Sequence, residues 1–200
     1  MSGSACVLPR KELLRRGALL AVAGVGVGAP AVPAEAAGIP DSDLAYLRVL
    51  VAAELLKADF EARALASSKL EAPEAALVRR MRTDDSAHYK GLASLLNGAG
   101  QPPATAGDID FRYPRGSFAS QRSLGKLAWK LTNLGLGAYL GAVESVETAQ
   151  VRLPLGQIAA NEAQQLSALA ALLGKPTIGS AFATSLRIDA VSNALDVYER

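Results

Sequence analysis

Acidic and histidine side chains interrupt three otherwise apolar helical patterns in this chain of 200 residues. Glu54 lies in the first pattern, Asp85 and His88 lie in the second, and Glu162 with Gln165 lies in the last. A carboxylate in an apolar core is costly unless it is paired or bound to a metal. If several such groups lie at the same height in one core, a single site in which they pair or bind a metal would account for all of them. The candidate metal ligands are therefore Glu54, Asp85, His88 and Glu162.

The spacing of these residues allows them to converge. Asp85 and His88 are three residues apart, so a helix presents both on one face. Glu54 and Asp85 are about equally far along the chain from the turn predicted at Glu71–Pro73. Antiparallel helices joined by that turn would therefore bring the two acids to similar heights.

The same comparison of distances from a turn, here called reflection, gives a candidate on the third helix. Glu144 and Ser145 are as far before a turn near Leu153–Pro154 as Glu162 is after it. Glu144 is therefore a geometric candidate for a further ligand, although it lies one step off the apolar seam of its segment.

Composition favours helices as the elements that position these groups. The chain has 39 Ala and 30 Leu, 50% hydrophobic residues and only 5% aromatic residues. Ala and Leu are strong helix formers, while the residues that strands prefer are few. A single cysteine, Cys6, excludes an intramolecular disulfide and multi-thiolate metal sites. The fold class predicted is all-α.

Apolar periodicity predicts four helical segments and a short tail. Two segments flank the Glu71–Pro73 turn, and two more follow a Pro- and Gly-punctuated connection. Two antiparallel hairpins joined by a long crossover then form a four-helix bundle over residues 37–176. The first helix is predicted to begin at Asp41, the second to end at Asn97-Gly98, the third to begin near Phe118, and the fourth to begin after Pro154 and end at Gly174. The tail, residues 177–200, is predicted to contain a short helix over about Asp189–Tyr198.

Residues 1–36 have the pattern of a secretory signal. Basic residues precede a short uncharged run, Gly17–Gly28, and Ala34-Glu35-Ala36 fits an A-x-A cleavage site. Arg10-Lys11 resembles the twin-arginine motif with one substitution. The run is shorter than the roughly 20 apolar residues of a membrane span. We expect export to the periplasm, cell envelope or exterior, with no stable membrane span after processing.

Charge then argues against a nucleic-acid partner. The whole chain has 21 basic and 19 acidic residues, of which residues 1–36 hold four and two. The remainder has 17 of each, so it lacks the overall positive charge of a nucleic-acid-binding domain. A homo-oligomer and an envelope protein partner both stay open as expectations.

Several short motifs, in order, resemble one family. They are Leu47–Phe60 with Glu54, Asp84-Asp85-Ser-Ala-His88, Phe111-Arg-Tyr-Pro-Arg-Gly-Ser-Phe118, Gly137-Ala-Tyr-Leu-Gly-Ala142 and Asn161-Glu162-Ala-Gln-Gln165. From Asp43 to Pro176 the chain resembles the ferritin-like domain proteins that include desiccation-related proteins. The resemblance implies a ferritin-like four-helix bundle. The metal-binding pattern of that family is Glu on the first helix, Glu-x-x-His on the second, Glu on the third and Glu-x-x-His on the fourth.

This chain has only some of the metal ligands of that pattern. Glu54, His88 and Glu162 match it, and Asp85 replaces a glutamate with a shorter side chain. Gln165 stands where the second histidine belongs. The acid of the third helix falls, by the resemblance, at Thr132 or Asn133, and neither is an anionic ligand.

Two function classes follow. One is an exported ferritin-like protein without an intact di-iron centre, serving a non-enzymatic, binding or stress-protective role. The other is a di-iron or di-manganese protein resembling a ferroxidase or peroxidase. Cofactors are accordingly expected to be none, or iron or manganese, and a single metal ion at Glu54, Asp85, His88 and Glu162 is an intermediate alternative.

Overall fold

The computed structural model describes residues 38–199, so the predicted signal, residues 1–36, lies outside the described residues. Its elements are five helices, together with one isolated bridge between Phe111 and Glu199. In chain order they are α1 (Asp41–Ala66), α2 (Ala72–Gly98), α3 (Gln121–Ser145), α4 (Ala149–Leu172) and α5 (Ile188–Asp196).

The four long helices form a bundle of two hairpins. α1 packs mainly on α2 and α3 on α4, while α1–α3 and α2–α4 contacts join the hairpins. α2 and α3 run in the same direction because the long segment 99–120 crosses the length of the bundle between them. Leucines from each helix fill the interior, among them Leu47, Leu92, Leu124 and Leu155. The predicted all-α, four-helix architecture is confirmed.

The turn between α3 and α4 lies earlier than the sequence pattern predicted. α4 begins at Ala149 and contains Pro154, which the sequence analysis placed before the helix. The cause is Asp43, whose buried carboxylate accepts the backbone N–H groups of Glu147 and Thr148 at 3.0 and 2.8 Å. These contacts fix the turn at Val146–Thr148. Pro154, in the second turn of α4, removes one backbone donor without ending the helix.

Aromatic residues of the crossover pack against α1 and the tail. Tyr113 lies 6.1 Å from Phe60 and 5.2 Å from Phe118 between ring centres. Its hydroxyl also donates to Asp59 Oδ2 at 2.9 Å. Tyr198, after α5, adds a fourth ring at 5.9 Å from Tyr113. These contacts hold the crossover against α1 and the tail.

A segment before α5 lies directly on the backbone of α3. The N–H of Leu186 donates to the carbonyl of Gly137 at 2.9 Å. A Cβ at Gly141 would lie 1.8 Å from the carbonyl oxygen of Leu186. The close approach therefore requires glycine at residue 141.

We expect Gly141→Ala to displace residues 184–187 from α3 and to destabilise the protein by roughly 1–3 kcal/mol, since overpacking against backbone has no cheap relief. Gly156→Ala in α4 is the control. Apart from its chain neighbours and the backbone of its own helix, no atom lies within 4 Å of its added Cβ, and alanine there is the better helix former. Urea unfolding and limited proteolysis of the tail measure both effects. Equal stability in the two variants would contradict the close packing.

The described helices include none that is both long enough and apolar enough to cross a membrane.

Candidate metal centre

The four candidate ligands converge at the middle of the bundle. Glu54 comes from α1, Asp85 and His88 from α2 and Glu162 from α4. One ligand atom of each lies within 4.8 Å of the others, a spacing that could hold a metal ion. The three carboxylates have no solvent exposure.

A lysine ammonium lies among these carboxylates. Lys57 is one turn after Glu54 on α1, and its side chain is 4% exposed. Its Nζ lies 3.2 Å from Glu54 Oε2 and 3.1 Å from Asp85 Oδ2, and it forms a still closer contact with Glu162 Oε1. One ammonium thus contacts carboxylates from three helices.

His88 stands beside the same three carboxylates. Its Nδ1 lies 3.5 Å from Asp85 and Glu162 and 3.7 Å from Glu54, which are ion-pair rather than hydrogen-bond distances. His88 also lines a cleft of about 260 Å³ between α2 and α4, together with Leu92 and Ile158. The cleft gives the imidazole a route to solvent that the buried carboxylates lack.

α3 contributes no acid to the cluster. Tyr139 is fully buried and its hydroxyl donates to Glu54 Oε1. A Cβ at Gly135 would lie 3.0 Å from Glu162 Oε2 and 3.8 Å from Lys57 Cδ, so this glycine makes room for both side chains. Thr132 is also buried, whereas Asn133 is exposed.

Glu144 does not reach the cluster. Its side chain is on the surface and accepts a hydrogen bond from Ser185 at 3.2 Å. The reflection that suggested it used a turn at Pro154. With the turn at Val146–Thr148, the same reflection leads from Glu162 to Thr132, the position that the family resemblance gave.

Gln165 takes part as a neutral hydrogen-bonding group. Its Nε2 donates to Asp85 Oδ1 at 3.0 Å and to Asn161 Oδ1 at 2.9 Å. The amide thereby orients Asp85 from α4, one turn from Glu162. It adds donors where a histidine would add a nitrogen ligand.

Burial and charge oppose each other at Lys57. Burial lowers the pKa of the ammonium, but Glu162, Glu54 and Asp85 outweigh it and hold that pKa well above its ordinary value. Burial likewise raises the pKa of Glu54, yet Lys57, His88 and Tyr139 bring it below its ordinary value. Lys57 and Glu54 therefore form an ion pair inside the bundle.

The pKa values of Asp85 and His88 are also raised above their ordinary values. Burial and the nearby acids raise the pKa of Asp85 to about 6, although Lys57 opposes the change. Burial lowers the pKa of His88, but Glu162 and Glu54 outweigh it and raise that pKa to about 9. At neutral pH the imidazole is therefore a second cation facing the carboxylates, rather than a free nitrogen ligand.

A fourth acid, Glu61, lies on the same face of α1 and is 1% exposed. Burial and the negative charge of Asp85 raise the pKa of Glu61 to about 10. Among the described residues, no donor reaches either of its carboxyl oxygens. Glu61 is therefore the neutral member of the cluster, protonated beside Asp85 at neutral pH.

Lys57, Glu61 and Tyr139 were not identified from the sequence. The spacing does contain a signal, because Glu54, Lys57 and Glu61 follow one another at intervals of three and four residues. This spacing alone does not show that the lysine side chain points into the bundle, since a lysine beside an apolar seam more often extends to solvent.

Comparison with known proteins agrees with this architecture. A family model described as a ferritin-like domain matches residues 42–175. The chain belongs to the ferritin-like domain family. No match is found among curated proteins.

Two solved structures share the fold. A conserved hypothetical protein from Mycobacterium tuberculosis has a TM-score of 0.60 and 20% identity, covering 71% of this chain and 97% of its own. A hypothetical protein from Methanococcus jannaschii has a TM-score of 0.57 and 11% identity, covering 85% of this chain and 98% of its own. At these identities the likeness concerns the fold.

The residues present do not fit the dinuclear centre that the ferritin-like pattern implies. α3 supplies Thr132, Gly135 and Tyr139 in place of a bridging carboxylate, and Gln165 replaces a nitrogen ligand. Lys57 brings a fixed positive charge into the carboxylate set. The four remaining ligands could hold one ion, and their oxygen and nitrogen donors are compatible with iron or manganese.

Glu61→Gln tests the protonation of this acid. In the unfolded chain Glu61 ionises near pH 4.5, whereas the folded protein keeps its proton to about pH 10. Its contribution to stability is therefore lost progressively as pH rises between these values. We expect the glutamine variant to match the wild type near pH 4 and to exceed it by roughly 2 kcal/mol or more near pH 8.

Urea unfolding at the two pH values provides the measurement, with the exposed Glu147→Gln as the matched control. The control should leave stability unchanged at both. A Glu61→Gln variant that is less stable than wild type at pH 8 would show that Glu61 is ionised in the folded protein.

Proposed function

We propose that this chain is an exported ferritin-like protein in which the ammonium of Lys57 replaces the metal cations, and that its role is binding or stress protection rather than oxidation. The single observation that carries the proposal is the contact of Lys57 Nζ with Glu54, Asp85 and Glu162.

The charge balance of the cluster supports this role for Lys57. In a ferritin-like metal centre, anionic carboxylates offset the charge of the metal ions. Here the offset comes from Lys57 and protonated His88, both part of the chain. A metal ion that entered would have to displace a buried ammonium and compete with the proton on His88. Both displacements weaken metal binding.

Open coordination positions are also needed for oxygen or peroxide chemistry at such a centre. Tyr139 and Gln165 instead occupy one oxygen each of Glu54 and Asp85 with hydrogen bonds, and Lys57 occupies the other side of both carboxylates. The cluster thus joins α1, α2 and α4 through ion pairs and α3 through the hydrogen bond of Tyr139, as a polar network retained from a metal-binding architecture would.

A second candidate function is that of an iron or manganese oxidoreductase. The observation in its favour is the convergence of Glu54, Asp85, His88 and Glu162 within 4.8 Å. It requires the Lys57 side chain to leave the carboxylates when the metal enters. Metal binding by the wild type therefore separates the two candidates.

Lys57→Ala should convert the cluster into a metal site. Without the ammonium, His88 alone faces three buried carboxylates, and we expect the variant to lose about 3–5 kcal/mol of stability in the absence of metal. Mn²⁺ should restore that stability and bind at one ion per chain. Calorimetric titration with Mn²⁺ and elemental analysis after Fe(II) loading in air measure the gain.

The wild type and Lys126→Ala, which removes an exposed lysine of α3, should bind no stoichiometric Mn²⁺ or iron. Lys57→Gln is the milder variant, because it removes the charge and retains hydrogen-bond donors. One or two tightly bound ions per wild-type chain would favour the oxidoreductase. A Lys57→Ala protein that gains no Mn²⁺ affinity would remove the basis of the proposal.

Export is the other part of the proposal, and the sequence pattern of residues 1–36 supports it. We expect intact mass measurement of protein from the envelope or secreted fraction of the native host to give a chain beginning at Ala37. Substitution of both Arg10 and Lys11 by glutamine should retain the precursor inside the cell. An unprocessed chain, still beginning at residue 1 and found in the cytoplasmic fraction, would contradict export.

A further inference from the structure

An apolar cavity lies away from the carboxylate cluster, towards the end of the bundle where α1 ends and α3 begins. Its volume is about 370 Å³, within the range of small-molecule sites. All four long helices line it. Phe60, Ala64, Leu124, Ala128 and Leu169 contribute apolar surface.

One acid is set into this apolar wall. Glu74, in the first turn of α2, accepts a hydrogen bond from Gln121 Nε2 on its Oε1 at 2.7 Å. Its Oε2 is buried, and no protein donor among the described residues reaches it. A buried carboxylate oxygen without a donor carries a desolvation cost, which a ligand that donates a hydrogen bond would relieve.

We propose that this cavity binds a small amphiphile with an alkyl body and a head group that donates a hydrogen bond, an ammonium or a hydroxyl. The alkyl body lies against Phe60, Ala128 and Leu169, and the head group donates to Glu74 Oε2. Gln121 holds the carboxylate in place by its bond to the other oxygen.

The chemistry of the head group follows from the charges at the cavity. A carboxylate or phosphate head would meet the negative charge of Glu74 and offer its oxygen no donor. Arg122, which is exposed, also lines the cavity and is the group that would attract an acid. The preference between an amine and an acid of equal chain length therefore shows which of the two residues selects the ligand.

The cavity shares no residue with the Lys57 cluster. Its occupancy is consequently independent of whether the cluster binds a metal, and either proposal can fail while the other stands.

Calorimetric titration with n-decylamine, n-decanol and decanoic acid, each kept below its aggregation threshold, tests the proposal on the full bundle. We expect the amine and the alcohol to bind and the acid to bind at least tenfold more weakly than the amine. Glu74→Gln should weaken decylamine binding about tenfold or more, because the amide offers the buried position a weaker acceptor or a donor.

Glu71→Gln, the same change at an exposed residue outside the cavity, should leave the affinity unchanged. Ala128→Leu, which fills the apolar end, should reduce binding of amine and alcohol alike. Failure of all three compounds to bind, tighter binding of decanoic acid than of decylamine, or equal affinity in wild type and Glu74→Gln would each overturn the proposal.

Discussion

Burial of the Lys57 ammonium among Glu54, Asp85 and Glu162 is the interaction on which the rest of the bundle depends. Three carboxylates without solvent contact would repel one another across the core if nothing opposed them. Lys57 compensates them from within the chain, and His88 adds a second positive charge. Such a cluster contributes little net stability, because the gain in attraction offsets a large desolvation cost, but losing one member is expensive. The cluster therefore fixes the relative heights of α1, α2 and α4.

The neighbouring helix adapts to this arrangement through small residues and one hydroxyl. Gly135 leaves the volume into which Glu162 and the stem of Lys57 extend. The hydroxyl of Tyr139 donates a hydrogen bond to Glu54 Oε1. Further along α3, Gly137 and Gly141 admit the backbone of the tail at Leu186. α3, which has no core carboxylate, thus accommodates the ion-pair cluster on one side and the tail on another, and its glycines make room for both.

The helical pattern was enough to predict the fold and the convergence of four residues, for physical reasons. Apolar spacing defines a helix face, and a short turn makes Glu54 and Asp85 level without further information. The prediction of the turn before α4 was wrong, because Asp43 stabilises that turn from α1, and no local sequence pattern shows a contact so distant in the chain. The misplaced turn is also the reason why Glu144 was wrongly taken as a candidate ligand. Lys57 was missed for a related reason, since its inward direction is decided by acids on α2 and α4 rather than by its own segment.

The most direct test of this account is the position of Lys57 in a crystal of the wild type soaked with Mn²⁺, with anomalous diffraction collected at the manganese edge. The account predicts Lys57 Nζ among the three carboxylates and no anomalous peak between them. A manganese peak bound by Glu54, Asp85, His88 and Glu162, with Lys57 turned away, would contradict it.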